Sequence, residues 1–214
     1  MIRAVLFDFD GVVAKTLESH ARSWQHVLSR YGIQVDPRDI ALNEGQPAIE
    51  ILRAILAKNG LQLPEEELQE LVRQKREHYQ QTTEARAYDG VGDLLQRLKA
   101  AGYKTALVTG SIRSNMAAAV GEELLSRFDV VLTSEDVPRG KPHPDPFLEG
   151  ARRLGVKPEE CLVIENAPMG IRAAKAAGMR CVAILSTLGP EDLSGADYLV
   201  ESISQIDPSA PYFR

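Results

Sequence analysis

Two carboxylates, Asp8 and Asp10, stand one residue apart near the start of the chain, and Gly11 follows them. Side chains two positions apart point the same way on an extended chain, so the two acidic groups share one face. Like charges this close repel each other, which requires a bound cation, a shared proton or a role in catalysis. Gly11 allows the backbone to turn sharply and to approach a ligand. For this stretch taken alone, an acidic turn at a strand end is the alternative.

Three further polar stretches contain groups that could act with this pair: Thr109-Gly110-Ser111, Gly140-Lys141-Pro142 and Glu165-Asn166. Carboxylate and amide oxygens without clustered His or Cys suit a hard cation, and Mg²⁺ is the usual one in phosphate chemistry. Thr109, the amide groups of Gly110 and Ser111, and the start of the following helix would donate hydrogen bonds to a phosphate. Lys141 would add a positive charge, although a surface lysine in a loop is the alternative for this residue alone.

Alternating strands and helices predict how these groups come together. Apolar runs predict six strands, at residues 4–7, 105–108, 128–133, 161–164, 181–185 and 198–200. Amphipathic segments around them predict four helices, at residues 89–101, 111–123, 145–154 and 169–177. Such connections build a parallel sheet that helices cover on both faces. Ligands of these sheets bind beyond the carboxyl ends of the strands, which is where Asp8, Thr109 and Glu165 fall.

The segment after the first strand departs from this alternation. Helical patterns over residues 16–31, 47–58 and 65–81 follow one another without a strand signal between them. This is typical of an inserted helical unit rather than of part of the sheet. The predicted fold class is therefore α/β, with a Rossmann-like parallel sheet core and an inserted all-helical domain.

The composition is that of an ordinary globular protein, since 44% of the 214 residues are hydrophobic and 26% are charged. The net charge of −5 argues against nucleic acid as the main partner, because surfaces that bind nucleic acid are basic. Cys161 and Cys181 lie in apolar segments without CxxC spacing, which predicts buried reduced thiols. No apolar run is long enough to span a bilayer, and we expect a cytoplasmic monomer or weak dimer without membrane contact. The polar tail at residues 209–214 is expected to be partly disordered.

Four stretches, taken in chain order, resemble the signature motifs of the haloacid dehalogenase superfamily. They are Asp8-Phe9-Asp10-Gly11, Leu107-Val108-Thr109-Gly110-Ser111, Gly140-Lys141-Pro142-His143-Pro144-Asp145 and Val163-Ile164-Glu165-Asn166-Ala167-Pro168-Met169-Gly170. The resemblance covers the core from end to end. It implies that residues 1–14 and 87–214 form the catalytic core and that residues 15–86 form the helical cap domain of this superfamily.

The resemblance also implies phosphoryl transfer. Asp8 would be the nucleophile that forms an aspartyl-phosphate, and Asp10 would protonate the leaving oxygen and later activate water. Thr109 and Lys141 would hold the transferring group and offset its charge. True dehalogenases of the superfamily lack the second Asp and the metal, so Asp10 argues against dehalogenation.

Mg²⁺ is the cofactor that the resemblance implies. It would be held by Asp8, by the main-chain carbonyl of Asp10, and by Glu165 or Asn166. The fourth motif of the superfamily more often has two acidic residues, whereas Asn166 offers an oxygen without a charge. We therefore expect weaker metal binding than in relatives with an acidic pair.

Part of the inserted segment resembles the β-phosphoglucomutase subgroup, at Thr16, Glu18, His20, Arg22, Trp24, Lys75 and Tyr79. We expect His20, Trp24 and Lys75 to contact the substrate. Packing within the cap is the alternative for Trp24, and positioning of Asp10 is the alternative for His20. A mutase holds a second phosphate with basic groups, but the loop at residues 43–48 lacks Lys and Arg and carries Glu44, which would repel a phosphate.

The expected function is a Mg²⁺-dependent phosphatase for a small phosphorylated metabolite, with a sugar phosphate as the expected class. A phosphosugar mutase of the β-phosphoglucomutase type is the first alternative. The second alternative is a non-catalytic relative that binds phosphate or metal. The intact set of Asp8, Asp10, Thr109 and Lys141 argues against the non-catalytic alternative.

Overall fold

A computed structural model describes residues 1–214 and contains one sheet of six parallel strands. The strands are β1 Ala4–Phe7, β2 Lys104–Val108, β3 Val130–Leu132, β4 Cys161–Glu165, β5 Arg180–Ile184 and β6 Tyr198–Val200. The α-helices are α1 Leu17–Leu28, α2 Pro37–Leu42, α3 Ala48–Lys58, α4 Glu65–Thr82, α5 Val91–Ala100, α6 Arg113–Leu125, α7 Asp145–Leu154 and α8 Pro168–Ala176. None of them is both long and apolar enough to cross a membrane. The strand order β3-β2-β1-β4-β5-β6 is that of a Rossmann-like fold, which confirms the predicted class.

Strand β1 lies at the centre of the sheet, between β2 and β4. All four of its residues are buried, as expected for an apolar run covered on both faces. Phe7 is in register with Leu107 of β2 and with Ile164 of β4. The carboxyl ends of the three strands are therefore level, and the residues that follow them meet at one edge of the sheet.

Helices cover both faces of this sheet. Val5 and Phe7 point into one hydrophobic cluster, which includes Leu94 of α5. Leu6 points into a second cluster on the opposite face, which includes Phe147 of α7. Burial of each such side chain contributes about 1.5–3 kcal/mol relative to leaving it exposed. The alternation of side chains along β1 thus holds the strand from both sides and fixes the position of Asp8 at its end.

The four helices α1 to α4 have a hydrophobic cluster of their own. Its 12 buried residues all lie between positions 21 and 72. The chain enters and leaves this unit side by side, because Ala14 pairs with Ala87 in an antiparallel bridge. On this evidence we propose that the cap is a separate domain, inserted after residue 14 and ending before residue 87.

Helix α2 is missing from the sequence prediction. With six residues, Pro37–Leu42 is too short for a hydrophobic period to emerge. The helix is instead specified at its start, where the Asp36 side chain accepts a hydrogen bond from the Arg38 N–H at 2.9 Å and Pro37 occupies the first turn. Strand β3 is also shorter than predicted, since it covers only residues 130–132.

The carboxyl terminus packs on the core, and the prediction of a partly disordered tail is wrong. Tyr212 and Phe213 are buried, and the Phe213 ring lies 5.0 Å from that of Tyr103. Arg180 donates a hydrogen bond to the Tyr212 carbonyl at 2.7 Å. Two aromatic side chains bury enough apolar surface to offset the entropy lost when a short tail is ordered.

The two cysteines are buried and free, as predicted. Cys161 lies on β4 and Cys181 on the neighbouring strand β5. Burial raises the pKa of the Cys161 thiol to about 12. Neither residue is therefore a source of thiolate at neutral pH.

Candidate active site

A buried lysine lies between two carboxylates at the carboxyl edge of the sheet. Lys141 Nζ donates to Asp8 Oδ1 at 2.5 Å, to Glu165 Oε1 at 2.7 Å and to the Val108 carbonyl at 3.1 Å. Burial alone would lower the pKa of the Lys141 ammonium, but the carboxylates of Asp8 and Glu165 outweigh it and raise that pKa above its ordinary value. The lysine is therefore charged, and it holds Asp8 in place.

The Asp8 carboxylate has one bound and one free oxygen. Oδ1 accepts from Lys141, whereas Oδ2 is buried without a hydrogen-bond partner. Burial acts to raise the pKa of Asp8 above its ordinary value, and the charge of Lys141 opposes that rise. A buried acceptor without a partner costs stability. Oδ2 is therefore placed to meet a group that the protein does not supply.

The Asp10 carboxylate is held at both of its oxygens. Oδ1 lies 3.0 Å from His20 Nε2, and Oδ2 accepts from Ser111 Oγ at 2.8 Å and from Thr109 Oγ1 at 3.5 Å. Burial acts to raise the pKa of Asp10, but the interaction with His20 and the hydrogen bond of Ser111 outweigh it and lower that pKa. Asp10 is thus held as an ionised carboxylate beside Asp8.

His20 and Lys75 of the cap orient Asp10. Lys75 Nζ lies 2.7 Å from His20 Nδ1. A charged lysine only donates, so the lone pair of the imidazole faces Lys75 and the proton sits on Nε2, from which it is donated to Asp10. Burial, together with the charge of Lys75, lowers the pKa of His20, and burial lowers the pKa of Lys75 to about 7. The three residues therefore form a hydrogen-bonded chain in which Lys75 loses its proton near neutral pH.

A loop of the cap packs directly on two core loops at the carboxyl edge of the sheet. A Cβ atom added to Gly110 would lie 2.5 Å from the Gly45 carbonyl oxygen, and one added to Gly140 would lie 2.7 Å from Pro47 Cδ. Approaches this close leave room only for glycine. The space enclosed between cap and core measures about 40 Å³, which accommodates roughly three water molecules. A ligand larger than this therefore needs the cap to move away before it enters.

Three buried oxygens without a hydrogen-bond partner show whether the site fits a metal ion. They are Asp8 Oδ2, Asn166 Oδ1 and Glu44 Oε1. Oxygen donors of this kind suit Mg²⁺. The chain contains no cluster of three or more His, Cys, Asp or Glu side chains that could hold a metal, so a metal site here needs other donors as well, and Asn166 offers an unpaired amide oxygen. Oxygen donors that lack partners therefore fit a hard cation.

The core residues predicted for the site meet at one edge of the sheet, through the hydrogen bonds and loop contacts described above: Asp8, Asp10, Thr109, Gly110, Ser111, Lys141, Glu165 and Asn166. Glu165 has no free oxygen, because Oε1 accepts from Lys141 and Oε2 accepts from the N–H groups of Asn166 and Ala167 at 2.9 and 3.3 Å. The structure therefore places Glu165 against Lys141, and the unpaired oxygen of this motif belongs to Asn166.

The three predicted cap residues, His20, Trp24 and Lys75, all line the enclosed space. His20 is hydrogen-bonded to Asp10, which agrees with the alternative that His20 positions Asp10. Arg76 also lines this space and is missing from the sequence prediction, although its position next to Lys75 on α4 was a usable signal. The contact of Glu44 with Asn166 is likewise new, and residues 122 positions apart give no local signal of such a contact.

Comparisons with known proteins place the chain among related sequences. The family model described as haloacid dehalogenase-like hydrolase matches residues 5–184. Hexitol phosphatase A of Escherichia coli is 32% identical over 205 residues, which cover 95% of this chain and 93% of that protein. Beta-phosphoglucomutase of Bacillus subtilis is 33% identical over 214 residues, with 96% and 92% covered. The solved structure of beta-phosphoglucomutase from Clostridium difficile has a TM-score of 0.83 at 28% identity and covers 97% of this chain and 94% of its own.

Proposed function

The chain belongs to the haloacid dehalogenase-like hydrolase family, and we propose that it is a phosphatase that hydrolyses the phosphomonoester of a small metabolite, with a sugar phosphate as the substrate class. The observation that carries this proposal is the state of Asp8, whose Oδ1 is fixed by Lys141 and whose Oδ2 is free. Asp10 stands two residues away as a positioned carboxylate. The similarity to hexitol phosphatase A supports the choice of substrate class.

In the proposed reaction Asp8 Oδ2 attacks the phosphorus of the substrate while the bond from phosphorus to the leaving oxygen breaks. Asp10, which has to take up a proton before the attack because the structure holds it as a carboxylate, gives that proton to the leaving oxygen, so that the product departs as an alcohol and Asp8 carries the phosphoryl group. Asp10 then takes a proton from the water that attacks this aspartyl-phosphate. Inorganic phosphate leaves, and Asp8 is regenerated. Lys141 offsets the negative charge of the transferring group, and Thr109 and the Gly110–Ser111 backbone bind its oxygens.

The proposed cofactor is Mg²⁺, held by Asp8 Oδ1, Asn166 Oδ1 and the main-chain carbonyl of Asp10, which leaves Asp8 Oδ2 free to attack. The unpaired buried oxygen of Asn166 supports this choice of ligands. When bound, Mg²⁺ would withdraw charge from the phosphoryl oxygens. Glu165 would act through Lys141, because both of its oxygens already accept hydrogen bonds.

A phosphosugar mutase is the second candidate, and Arg76 favours it. Arg76 and Lys75 both line the enclosed space, so α4 offers two cations there even though the loop at residues 43–48 offers none. Two cations could hold a second phosphate during transfer. Incubation with β-glucose 1-phosphate and a bisphosphate primer separates the candidates. Release of inorganic phosphate supports the phosphatase, and formation of glucose 6-phosphate supports the mutase.

Phosphate release from p-nitrophenyl phosphate and from a panel of phosphorylated sugars tests the proposed function. We expect slow hydrolysis of p-nitrophenyl phosphate in the presence of Mg²⁺, faster hydrolysis of at least one sugar phosphate, and no hydrolysis after EDTA treatment. Turnover that does not depend on Mg²⁺ would contradict the proposal. A wild-type protein that hydrolyses none of these compounds would favour the non-catalytic alternative.

A further inference from the structure

The cap carboxylate Glu44 is buried at the edge of the core site, with 3% of its surface exposed. Its Oε2 accepts a hydrogen bond from Asn166 Nδ2 at 2.7 Å, and its Oε1 has no partner. A Cβ atom added to Gly11 would lie 2.1 Å from Asn166 Nδ2 and 3.2 Å from Glu44 Oε2. Both side chains therefore lie directly against the turn that follows β1 and carries Asp8 and Asp10.

The orientation of the Asn166 amide follows from its partners. An ionised Glu44 carboxylate only accepts hydrogen bonds, so Asn166 presents its NH₂ group to it. The same NH₂ group donates to Thr187 Oγ1 at 2.9 Å. Asn166 Oδ1 is consequently turned away from both partners, buried and unpaired. At this contact between core and cap, Asn166 Oδ1 and Glu44 Oε1 therefore both lack a hydrogen-bond partner.

The charges around Glu44 call for a cation. Glu44 is buried close to three further carboxylates, those of Asp10, Asp8 and Glu165. Lys141 is already shared by Asp8 and Glu165. Glu44 itself makes its one side-chain hydrogen bond to a neutral amide. A hard divalent cation among these oxygens would offset the excess negative charge and meet the unpaired atoms.

We propose that Glu44 is a metal ligand supplied by the cap, so that Mg²⁺ is fully coordinated only when the cap is closed. The inference rests on the proposed function, because it concerns the same Mg²⁺ site. The fourth motif of this chain offers the neutral Asn166, and Glu44 supplies from the cap the charge that a second acid would supply from the core. Metal binding and cap closure are then coupled, and each favours the other by the same factor.

Glu44→Gln tests this coupling in the full-length chain without substrate. Mn²⁺ binding is measured by electron paramagnetic resonance, and closure of the cap is measured by small-angle X-ray scattering with and without Mn²⁺. We expect the wild type to become more compact on binding Mn²⁺. We expect Glu44→Gln to bind Mn²⁺ at least about tenfold more weakly and to show no metal-dependent compaction. Glu50→Gln is the matched control, because it removes an exposed carboxylate from the same cap, and it should behave as wild type.

The double variant Glu44→Gln/Asn166→Asp exchanges acid and amide across the same hydrogen bond. It keeps the bond between cap and core but moves the negative charge into the core. We expect its Mn²⁺ affinity to return toward that of wild type, while Mn²⁺ no longer changes its compactness. This variant distinguishes a Glu44 that binds the metal from a Glu44 that only hydrogen-bonds the cap to the core. In the second case Mn²⁺ would still make the double variant more compact.

Unchanged Mn²⁺ affinity in Glu44→Gln, or compaction of the double variant on binding Mn²⁺, would overturn the inference and leave the proposed function intact. A wild-type chain that binds no Mn²⁺ would overturn the inference together with the proposed cofactor. Phosphate release by the wild type in the presence of Mg²⁺ shows whether the chain has the proposed activity, independently of the outcome for Glu44→Gln.

Discussion

Lys141→Met tests whether the buried lysine offsets the acidic charge at the edge of the sheet. In the wild type one ammonium lies between the carboxylates of Asp8 and Glu165, at 2.5 and 2.7 Å. Methionine has a similar volume but no charge, so the two carboxylates, each 1% exposed, would be buried together without a cation. Removing one partner of a buried ion pair costs about 3–5 kcal/mol. We expect the free energy of unfolding to fall by that amount.

Asp8→Asn is the second single variant of a double-mutant cycle with Lys141→Met. It preserves the shape of the side chain and leaves Lys141 paired with Glu165, so we expect an unfolding free energy at least as high as that of wild type. In the double variant only one carboxylate remains at the position that Lys141 vacates. We therefore expect the added Asp8→Asn change to recover at least about 1 kcal/mol of the loss caused by Lys141→Met.

Urea unfolding near neutral pH, followed by circular dichroism in the presence of EDTA, gives the four unfolding free energies. EDTA removes divalent ions, which would otherwise stabilise the variants that bind them. Stability is the chosen readout because each variant removes a residue of the proposed catalytic machinery. A loss below about 1 kcal/mol for Lys141→Met, or purely additive effects in the cycle, would refute the charge argument.

Three further variants test other parts of the structure. Lys75→Arg should shift the alkaline limb of the pH profile of kcat/KM from near pH 7 to higher pH, because arginine stays protonated and keeps donating to His20. An unchanged alkaline limb would contradict its assignment to deprotonation of Lys75. Gly110→Ala should lower kcat/KM by about a hundredfold by holding the cap open, whereas Gly195→Ala, with its nearest contact at 3.2 Å, should not. Phe213→Ala should lower the unfolding free energy by about 3 kcal/mol, and an unchanged urea midpoint would show that the tail does not pack.

The positions of Asp8, Thr109 and Glu165 were predictable because each lies at the end of an apolar run that forms a strand of the sheet. Asp8 and Glu165 come at the ends of β1 and β4, which are adjacent and in register. Parallel strands bring such residues to one edge regardless of details in the loops. The prediction of a joint site at this edge therefore needed only the strand pattern and the rule for parallel sheets.

The contacts between cap and core were not predictable in the same way. The bond between Glu44 and Asn166 joins residues 122 positions apart, and it depends on how a helical unit docks on a sheet. From the sequence, Glu44 was judged only by its charge, as a group that repels phosphate. Its partner is the neutral amide that replaces an acid in the fourth motif, and neither residue alone indicates that pairing.

Isolation of the covalent intermediate tests the central claim most directly. The full-length protein is mixed with a hydrolysed sugar phosphate and Mg²⁺, quenched in acid, digested with pepsin and analysed by mass spectrometry. The account predicts the added mass of one phosphoryl group on the peptide that contains Asp8, with fragment ions that place it on Asp8 rather than Asp10. The same experiment on Asp8→Asn should give no labelled peptide. A phosphoryl group on another residue, or turnover by Asp8→Asn, would contradict the assignment of Asp8 as the nucleophile.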